Sequence, residues 1–264
     1  MPNEKYKKFL EMLKRLEISH NGDKQKLGKF LEMLERMKVG CNGGNPKADL
    51  WFCGLENGGY QSKKYRDEEN EKRLTKPGWK PDLTKSWNGL FGIFYDIIFG
   101  LGRIKKKGDP ADMFRDGAPY YFANLFPFAF PSRHPKAEAD KEIKKLTGIN
   151  TLCEYKRACD GWRSESEEWH KFYTSAKVIV CFGKGHREDF IWQFSKSDEK
   201  SDEEYKKLKK KLDPGENILP LKLDDGKVLI LCVHPASRKP KLDVGELRKC
   251  IENHGIHRQA SGRY

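Results

Sequence analysis

Short apolar runs alternate with longer amphipathic stretches along most of this chain. Four runs rich in β-branched and aromatic residues predict strands, at 49–53, 120–124, 178–182 and 228–233. Helical spacing predicts six helices, at 86–101, 136–146, 164–175, 186–194, 202–212 and 244–253. Because strands separated by helices form parallel βαβ units, the pattern predicts an α/β fold. We expect a three-layer αβα domain with a mostly parallel central sheet of about four strands.

A repeated segment precedes this pattern. The sequence KFLEMLKRL at 8–16 recurs as KFLEMLERM at 29–37, and both copies have their apolar residues at helical spacing. The linker between them carries Asp23, a candidate N-cap for the second helix. The repeat predicts a helical hairpin, and we divide the chain into a hairpin at 1–40 and an α/β domain at 41–264. Apolar stripes are usually core, which favours packing of the hairpin on the domain over gripping of a partner.

Two highly charged stretches interrupt the α/β pattern. One lies at 61–76, directly after the first predicted strand, and the other at 195–216, between the third and fourth. Solvated surface is the default interpretation of both stretches. The first begins where the strand ends, so it could also form a lid or an element that faces a ligand.

Charge and cysteine content narrow the class of protein. Lys and Arg number 52 against 39 Asp and Glu, a net charge of +13 that favours polyanionic partners through phosphate contacts. On charge alone, a soluble protein that is merely basic is an equally good interpretation. No apolar run is long enough to span a membrane, and MPNEKYKK lacks the apolar core of a secretion signal. Among seven cysteines, Cys53, Cys181 and Cys232 fall in strand-like runs and are expected to be buried free thiols, which fits a cytoplasmic protein.

Chemistry-bearing residues follow all four predicted strands. The first strand runs into a Gly-rich turn that carries Glu56, the second ends at Asn124, the third is followed by Lys184, and the fourth by His234. Parallel strands bring their carboxyl ends to one edge of a sheet, where ligands bind. A carboxylate and an imidazole at that edge of a basic protein suggest chemistry on nucleic acid.

In order and in context, these segments resemble the motifs of the uracil-DNA glycosylase superfamily. A first motif of the form G-x-(D/N/E)-P-(Y/G) is matched by residues 54–58, a base-reading asparagine by Asn124, and a second motif H-P-(S/A) by residues 234–237. The resemblance covers residues 48–238 and implies a DNA glycosylase, which hydrolyses the bond between a base and deoxyribose and leaves an abasic site. We expect no metal and no cofactor. Some superfamily members bind an iron–sulfur cluster through four cysteines, but with no CxxC pair in the chain we expect no cluster here. DNA is the implied partner, and we expect a monomer.

The resemblance assigns roles to individual residues. Glu56 would stabilise the cationic sugar and activate water, and His234 would hydrogen-bond the departing base. The flipped base would contact a second group of residues: Gly54, Leu55, Asn57, Gly58 and Asn124. Tyr60 and Trp87 are further candidates for stacking on the base, although the motifs fix neither of them. The DNA backbone would contact a third: Gly59, Lys184, Ser237 and Arg238.

The chain departs from the superfamily pattern where base specificity is set. Asn57 replaces the motif proline, and Gly58 stands where the strict uracil enzymes have a bulky tyrosine. A pocket without that wall admits a 5-substituted pyrimidine, so we expect specificity broader than uracil, extending to a modified phage cytosine. The biological setting is then DNA repair or antiviral defence.

Structural interpretations compete with each of these roles. Glu56 could be a solvated turn carboxylate, His234 a strand cap, Asn124 a turn residue, and Tyr60 and Trp87 packing residues. The main alternative function is a non-catalytic nucleic-acid-binding protein of the same fold. A hydrolase of free nucleosides is a third interpretation, which an extended basic surface disfavours.

Overall fold

A computed structural model of the chain describes residues 4–36, 43–56, 68, 71–72, 74–75, 91–101, 117–128, 136–165, 175–195, 201–235, 237 and 239–256. At Leu55 and Glu56 the description covers the main chain alone. Eight α-helices lie within these residues: α1 (Glu4–Arg15), α2 (Lys24–Arg36), α3 (Phe91–Gly100), α4 (Lys136–Thr147), α5 (Leu152–Ser164), α6 (Arg187–Ser195), α7 (Ser201–Lys209) and α8 (Val244–Asn253). Six strands accompany them: β1 (Gly43–Gly44), β2 (Leu50–Glu56), β3 (Tyr121–Phe126), β4 (Val178–Phe182), β5 (Ile218–Lys222) and β6 (Val228–Cys232).

The six strands form one mixed sheet in the order β1-β3-β2-β4-β6-β5. β2 pairs with β4, and β4 with β6, in parallel, whereas β1 and β5 lie antiparallel at the two edges. β2 and β3 run in the same direction. Phe52 stacks on Phe122 at 5.2 Å, and two residues further along each strand Gly54 lies beside Asn124. The four predicted strands are therefore the four central ones.

The predicted strand number and parallel character need correction. The sheet has six strands, and its edge strands are antiparallel. β5 and β6 form a hairpin closed by the turn Leu223–Lys227, in which Gly226 has a φ of +88°. A hairpin needs no crossover helix, so a search for strands separated by helices overlooks it. The sequence ILPLKLDDGKVLI carries the signal: two strand-like runs flank an Asp-Gly turn.

β2 and β3 both continue further than predicted. β2 runs to Glu56, so Glu56 is its last residue and does not lie on the Gly-rich turn. β3 runs to Phe126, which places Asn124 inside the strand and not at its end. All six residues of β3 are buried, and this burial favours continued pairing past the polar asparagine.

Most predicted helices are confirmed. The N-terminal helical pair is present, with Asp23 Oδ1 accepting a hydrogen bond of 3.1 Å from the Lys26 N–H at the start of α2. The prediction missed α5, whose polar residues mask its apolar face. The helix predicted at 164–175 falls mostly outside the described residues; of it, Ser164 is the last residue of α5.

The chain divides into two compact units. A helical unit comprises residues 1–41, 56–81 and 126–170, and a sheet unit comprises 42–55, 82–125 and 171–264. In the helical unit, α1 packs on α5 and α2 on α4. Its core is aromatic, since Tyr155 contacts Phe30 and Phe128 at 5.7 Å and Phe9 meets Trp162 edge to face at 5.7 Å.

In the sheet unit, α3 and α8 pack against each other and cover one face of the sheet. Phe94 of α3 is the centre of this core: its ring meets Phe52, Phe122 and Phe182 edge to face at 5.1–5.8 Å. Phe182 is the last residue of β4, and Phe52 and Phe122 lie two residues before Gly54 and Asn124 on β2 and β3. They form an apolar floor beneath the edge where the sequence predicts a site.

A hydrogen-bonded cap joins α5 to the hairpin linker in the helical unit. Thr151 is the N-cap of α5; its hydroxyl accepts from the Glu154 N–H at 3.2 Å and donates to Glu154 Oε2 at 2.8 Å. Glu154 Oε1 also accepts from the Ser19 N–H at 2.9 Å. Burial raises the pKa of Glu154, but the hydrogen bonds from Ser19 and Thr151 outweigh it and bring the pKa below its ordinary value.

We expect Glu154→Gln to destabilise the protein at pH 7 and to match the wild type in strong acid. A carboxyl group with a lowered pKa stabilises the fold above its unfolded pKa of about 4.3, and this contribution disappears as the pH falls through the folded value. Urea unfolding followed by circular dichroism at pH 7 and pH 3 measures the difference. Glu11→Gln, at an exposed position on α1, is the control for the loss of one carboxylate. Equal effects of Glu154→Gln at both pH values would contradict the assignment.

Candidate active site at the carboxyl edge of the sheet

Four residues on four neighbouring strands form one row near the carboxyl edge: Asn124, Gly54, Phe182 and Cys232. Gly54 is in register with Phe182, and Phe182 with Cys232. Residues in register on neighbouring strands share a face of the sheet, here the face with the aromatic floor. Three strand spacings of about 4.8 Å each, roughly 14 Å, separate the main chains at the two ends of the row. His234 follows two residues beyond Cys232.

The side chain of Asn124 occupies the space that a side chain at position 54 would fill. A Cβ atom built on Gly54 would lie 2.3 Å from Asn124 Oδ1, well inside van der Waals contact. Asn124 is only 5% exposed, in a strand whose other members are apolar. Burying an amide among apolar groups costs free energy unless its polar atoms are satisfied. The absence of a side chain at Gly54 gives the Asn124 amide room at this edge of the sheet. We therefore treat Asn124 as a candidate functional residue.

The order of the strands singles out the same edge. From β2 the chain crosses to β3 on one side, and from β4 it crosses to the β5–β6 hairpin on the other. In an open α/β sheet, ligands bind outside the carboxyl ends of the two strands where the direction of winding reverses. Here those strands are β2 and β4, whose ends carry Gly54 and Phe182 in register.

A single turn of 3-10 helix, Lys184–His186, follows β4 and leads into α6. It is introduced by Gly183, whose φ of +143° suits glycine and whose N–H donates to the Cys232 carbonyl at 2.9 Å. Lys184 Nζ donates to Asn217 Oδ1 at 3.3 Å and to the Gly215 carbonyl at 3.5 Å. The predicted DNA contact Lys184 thus holds a neighbouring loop in this structure.

His234 lies in a turn after β6, in which the Ser237 N–H donates to the His234 carbonyl at 2.8 Å. His234 is an exposed residue, but neighbouring protein atoms remove part of the water around its imidazole. This partial loss of water disfavours the imidazolium ion and lowers the pKa of His234 below its ordinary value. His234 is therefore neutral at pH 7, as a hydrogen-bond donor to a developing anion can be.

Several predicted site residues lie outside the described part of the chain. These are Asn57, Gly58, Gly59, Tyr60, Trp87 and Arg238. Leu55 and Glu56 are described as the last two residues of β2, without their side chains. Gly54, Asn124, Lys184, His234 and Ser237 all belong to the sheet unit, and the row above brings Gly54 and Asn124 together.

Sequence analysis missed two features beside the predicted residues. Arg187, the first residue of α6, is 5% exposed and hydrogen-bonds only main-chain carbonyls among the described residues. His186 Nδ1 lies 3.2 Å from Asp189 Oδ2, an ion-pair geometry when the imidazole is protonated. Both follow the third predicted strand, where the sequence GKGHRED already concentrates charge at a strand end.

The predicted buried thiols are confirmed: Cys53, Cys181 and Cys232 are buried and not disulfide-bonded. Cys232 Sγ donates to the Cys181 carbonyl at 3.4 Å. Burial raises the pKa of Cys181 and of Cys232, so both remain protonated at neutral pH. These thiols are packing groups of the central strands and supply no nucleophile.

No protein-family model matches the chain, and no curated protein matches it. Over the described ranges, no three His, Cys, Asp or Glu side chains gather as a metal site would require. None of the helices in those ranges has the length and apolar character that a bilayer crossing requires.

We expect Gly54→Ala to destabilise the protein by about 1–3 kcal/mol, because the new methyl group overlaps Asn124 Oδ1. In an Asn124→Ala background, the same change should be neutral or stabilising, since alanine is otherwise preferred to glycine inside a strand. A double-mutant cycle measured by urea unfolding gives the coupling. Gly185→Ala is the matched control, because a Cβ there meets open space. An equal cost of Gly54→Ala in both backgrounds would contradict the contact.

His234 should titrate with a midpoint below about 6.5. The measurement is a pH series of imidazole NMR spectra, with the resonance assigned by its loss in His234→Gln. Because the folded pKa is the lower one, the contribution of His234 to stability is complete above the unfolded value. That contribution decreases as the pH falls towards the folded value. A midpoint at or above 6.5 would show that the ring is fully hydrated.

Proposed function

We propose that this protein is a DNA glycosylase that hydrolyses the N-glycosidic bond of a deaminated or modified base. The observation that carries the proposal is the buried Asn124 amide, seated across Gly54 in a row that ends two residues before His234. An amide presents one donor group and one acceptor, the pair needed to read the edge of a base. The span of roughly 14 Å between the two ends of the row suits two side chains with one flat ring between them.

The aromatic floor supports a base as the ligand. Phe182 lies in the row between Asn124 and Cys232, and Phe52 and Phe94 lie beneath it. Bases have apolar faces and polar edges, so an apolar floor with amide and imidazole groups at its ends complements both. A base inside a duplex must be flipped out to reach such a floor.

In the proposed reaction, a water molecule adds to the sugar C1′ and the electrons of the glycosidic bond leave with the base. Glu56 accepts the proton of the water and stabilises the cationic sugar, while neutral His234 donates a hydrogen bond to the anionic base. The base leaves protonated from solvent, and an abasic sugar remains. Glu56 is the last residue of β2 and His234 follows β6, and the roles proposed for both rest on the sequence resemblance.

DNA is the proposed substrate because of charge. The net charge is +13, and Lys239 and Lys241, exposed on the loop after His234, form no ion pair within the described residues. Cations beside a base-reading row would contact the phosphates that flank a flipped nucleotide. Gly58, in place of a bulky residue, supports specificity broader than uracil and leaves room for a modified phage cytosine.

The remaining features of the proposal rest on the sequence. They are a three-layer αβα arrangement, a monomer, a cytoplasmic location, no required cofactor, and a role in repair or antiviral defence. Each is a separate expectation, and none is needed for the reaction itself.

We expect base release from at least one of five DNAs, containing uracil, hypoxanthine, xanthine, hydroxymethylcytosine or glucosylated hydroxymethylcytosine. Mass spectrometry of the released base measures it. Glu56→Gln should reduce release by about 100-fold or more while DNA binding persists, because it removes the general base and keeps the size of the side chain. Asn124→Asp should change the preference among bases, since it replaces a donor by an acceptor.

Three outcomes distinguish the competing functions. Binding of DNA by the wild type with no release from any substrate would establish the non-catalytic alternative. Release from free nucleosides that is insensitive to salt would establish a nucleoside hydrolase, because only a polyanionic substrate gives a steep salt dependence. Full activity of Glu56→Gln would refute the assigned mechanism.

A further inference from the structure

A buried cation connects the end of β4 to the strand that carries His234. Arg187 Nη1 donates to the Asp213 carbonyl at 2.7 Å, and Nη2 donates to the Glu216 carbonyl at 2.6 Å and the Leu231 carbonyl at 3.5 Å. Leu231 lies in β6, three residues before His234. One guanidinium therefore ties α6 to residues 213–216 and to β6 at once.

Lys184 and Asn217 extend this connection to the residue before His234. Lys184 Nζ donates to Asn217 Oδ1 at 3.3 Å, and the Asn217 carbonyl accepts from the Val233 N–H at 3.0 Å. The loop 213–217 is thus held by hydrogen bonds from both Arg187 and Lys184. It in turn fixes the main chain of Val233, where β6 ends and the histidine turn begins.

Burying the charge of Arg187 costs desolvation free energy. The side chain is 5% exposed, its partners are neutral carbonyls, and burial lowers its pKa, although an arginine stays protonated. Even buried ion pairs can often be replaced by well-packed apolar residues with no loss of stability. What the guanidinium adds is geometry, because its planar fork sets three carbonyls at fixed positions around one point.

We propose that Arg187 is a positioning residue that fixes the place and the partial desolvation of the His234 imidazole. It acts through the Leu231 carbonyl and through the loop 213–217, and it does not touch the substrate. The catalytic part of this inference rests on the proposed glycosylase function, whereas its structural part concerns the protein without substrate. Among the described residues, the charged or titratable groups around the connection are Lys184, Asp213, Glu216 and the Cys232 thiol.

The first test needs no substrate. In Arg187→Met, the NMR midpoint of His234 should rise towards its ordinary value of about 6.5, because a loosened loop admits water to the ring. Hydrogen exchange of the Val233 amide should accelerate by about tenfold or more as its hydrogen bond to Asn217 opens more often. Global destabilisation alone would not move the midpoint of His234 in the folded protein.

Arg248→Met is the matched control. Arg248 lies in the same unit, on α8, and its Nε donates to the Val244 carbonyl at 3.4 Å. Among the described residues it forms no hydrogen bond or ion pair with the loop 213–217. This variant should leave the His234 midpoint and the Val233 exchange unchanged. Arg187→Lys keeps the charge but loses the fork, so it should give an intermediate midpoint. If Arg187→Met does not fold, Arg187→Lys and Asn217→Ala make the same measurements.

The second test uses the released base. Arg187→Lys should lower kcat by about 10- to 100-fold with little change in KM, as loss of a residue that orients a reacting group does. A shifted His234 midpoint together with an absence of base release by the wild type would uphold the positioning role and reject the glycosylase. An unchanged midpoint in folded Arg187 variants, or an equal shift in Arg248→Met, would overturn the inference.

Discussion

Parallel pairing of the central strands, in a fixed register, is the constraint on which the candidate site depends. Because register partners share a face, pairing of Gly54 with Phe182 and of Phe182 with Cys232 fixes which side chains meet at the carboxyl edge. A slip of one residue would turn Phe52 and Phe182 away from Phe94 and would expose the aromatic core. The apolar core thus enforces the register, and the register assembles the polar edge.

The two ends of that edge are held by different means. At the β3 end, a missing side chain makes room: Gly54 lets Asn124 lie across the neighbouring strand. At the β6 end, added hydrogen bonds restrain the chain, as Arg187 and Lys184 hold the loop 213–217 that receives the Val233 N–H. Gly54 and Arg187 thus have the same structural effect. Each restricts the movement of a polar group at the edge of an apolar sheet, as a preorganised site requires.

Features of the fold that depend on neighbouring residues could be predicted from the sequence. Features that depend on pairing between distant segments could not. The central strands and most helices were predictable because local periodicity encodes them, and α8 was predicted at its observed bounds, Val244–Asn253. The hairpin of β5 was missed because its sequence signal competes with the charged stretch before it. The end of β2 was misplaced because pairing with β4, and not local propensity, carries the strand through Gly54.

The candidate site also contains residues that local sequence patterns predict and residues that only contacts between distant segments reveal. Gly54, Asn124 and His234 were singled out because their residue types at strand ends are recognisable in the sequence. Arg187 was not, because an arginine at a helix start is ordinarily solvated, and only the folded chain reveals the carbonyls of Asp213 and Glu216 around it. The residues proposed to react carry a local sequence signature, whereas the residue proposed to hold them in place acts through contacts between distant segments.

This difference bears on what kind of site the edge forms. Polar groups stabilise a changing charge best when they are fixed beforehand and shielded from water, because they then need no reorganisation as the charge develops. Asn124 is buried and wedged against a glycine, and His234 is partly desolvated at the end of a restrained strand. A surface that only bound the phosphate backbone would need exposed cations and no buried amide. The buried amide of Asn124 and the partly desolvated imidazole of His234 lie at the same edge of the sheet. For this reason we favour a base-reading catalytic site over a simple basic surface.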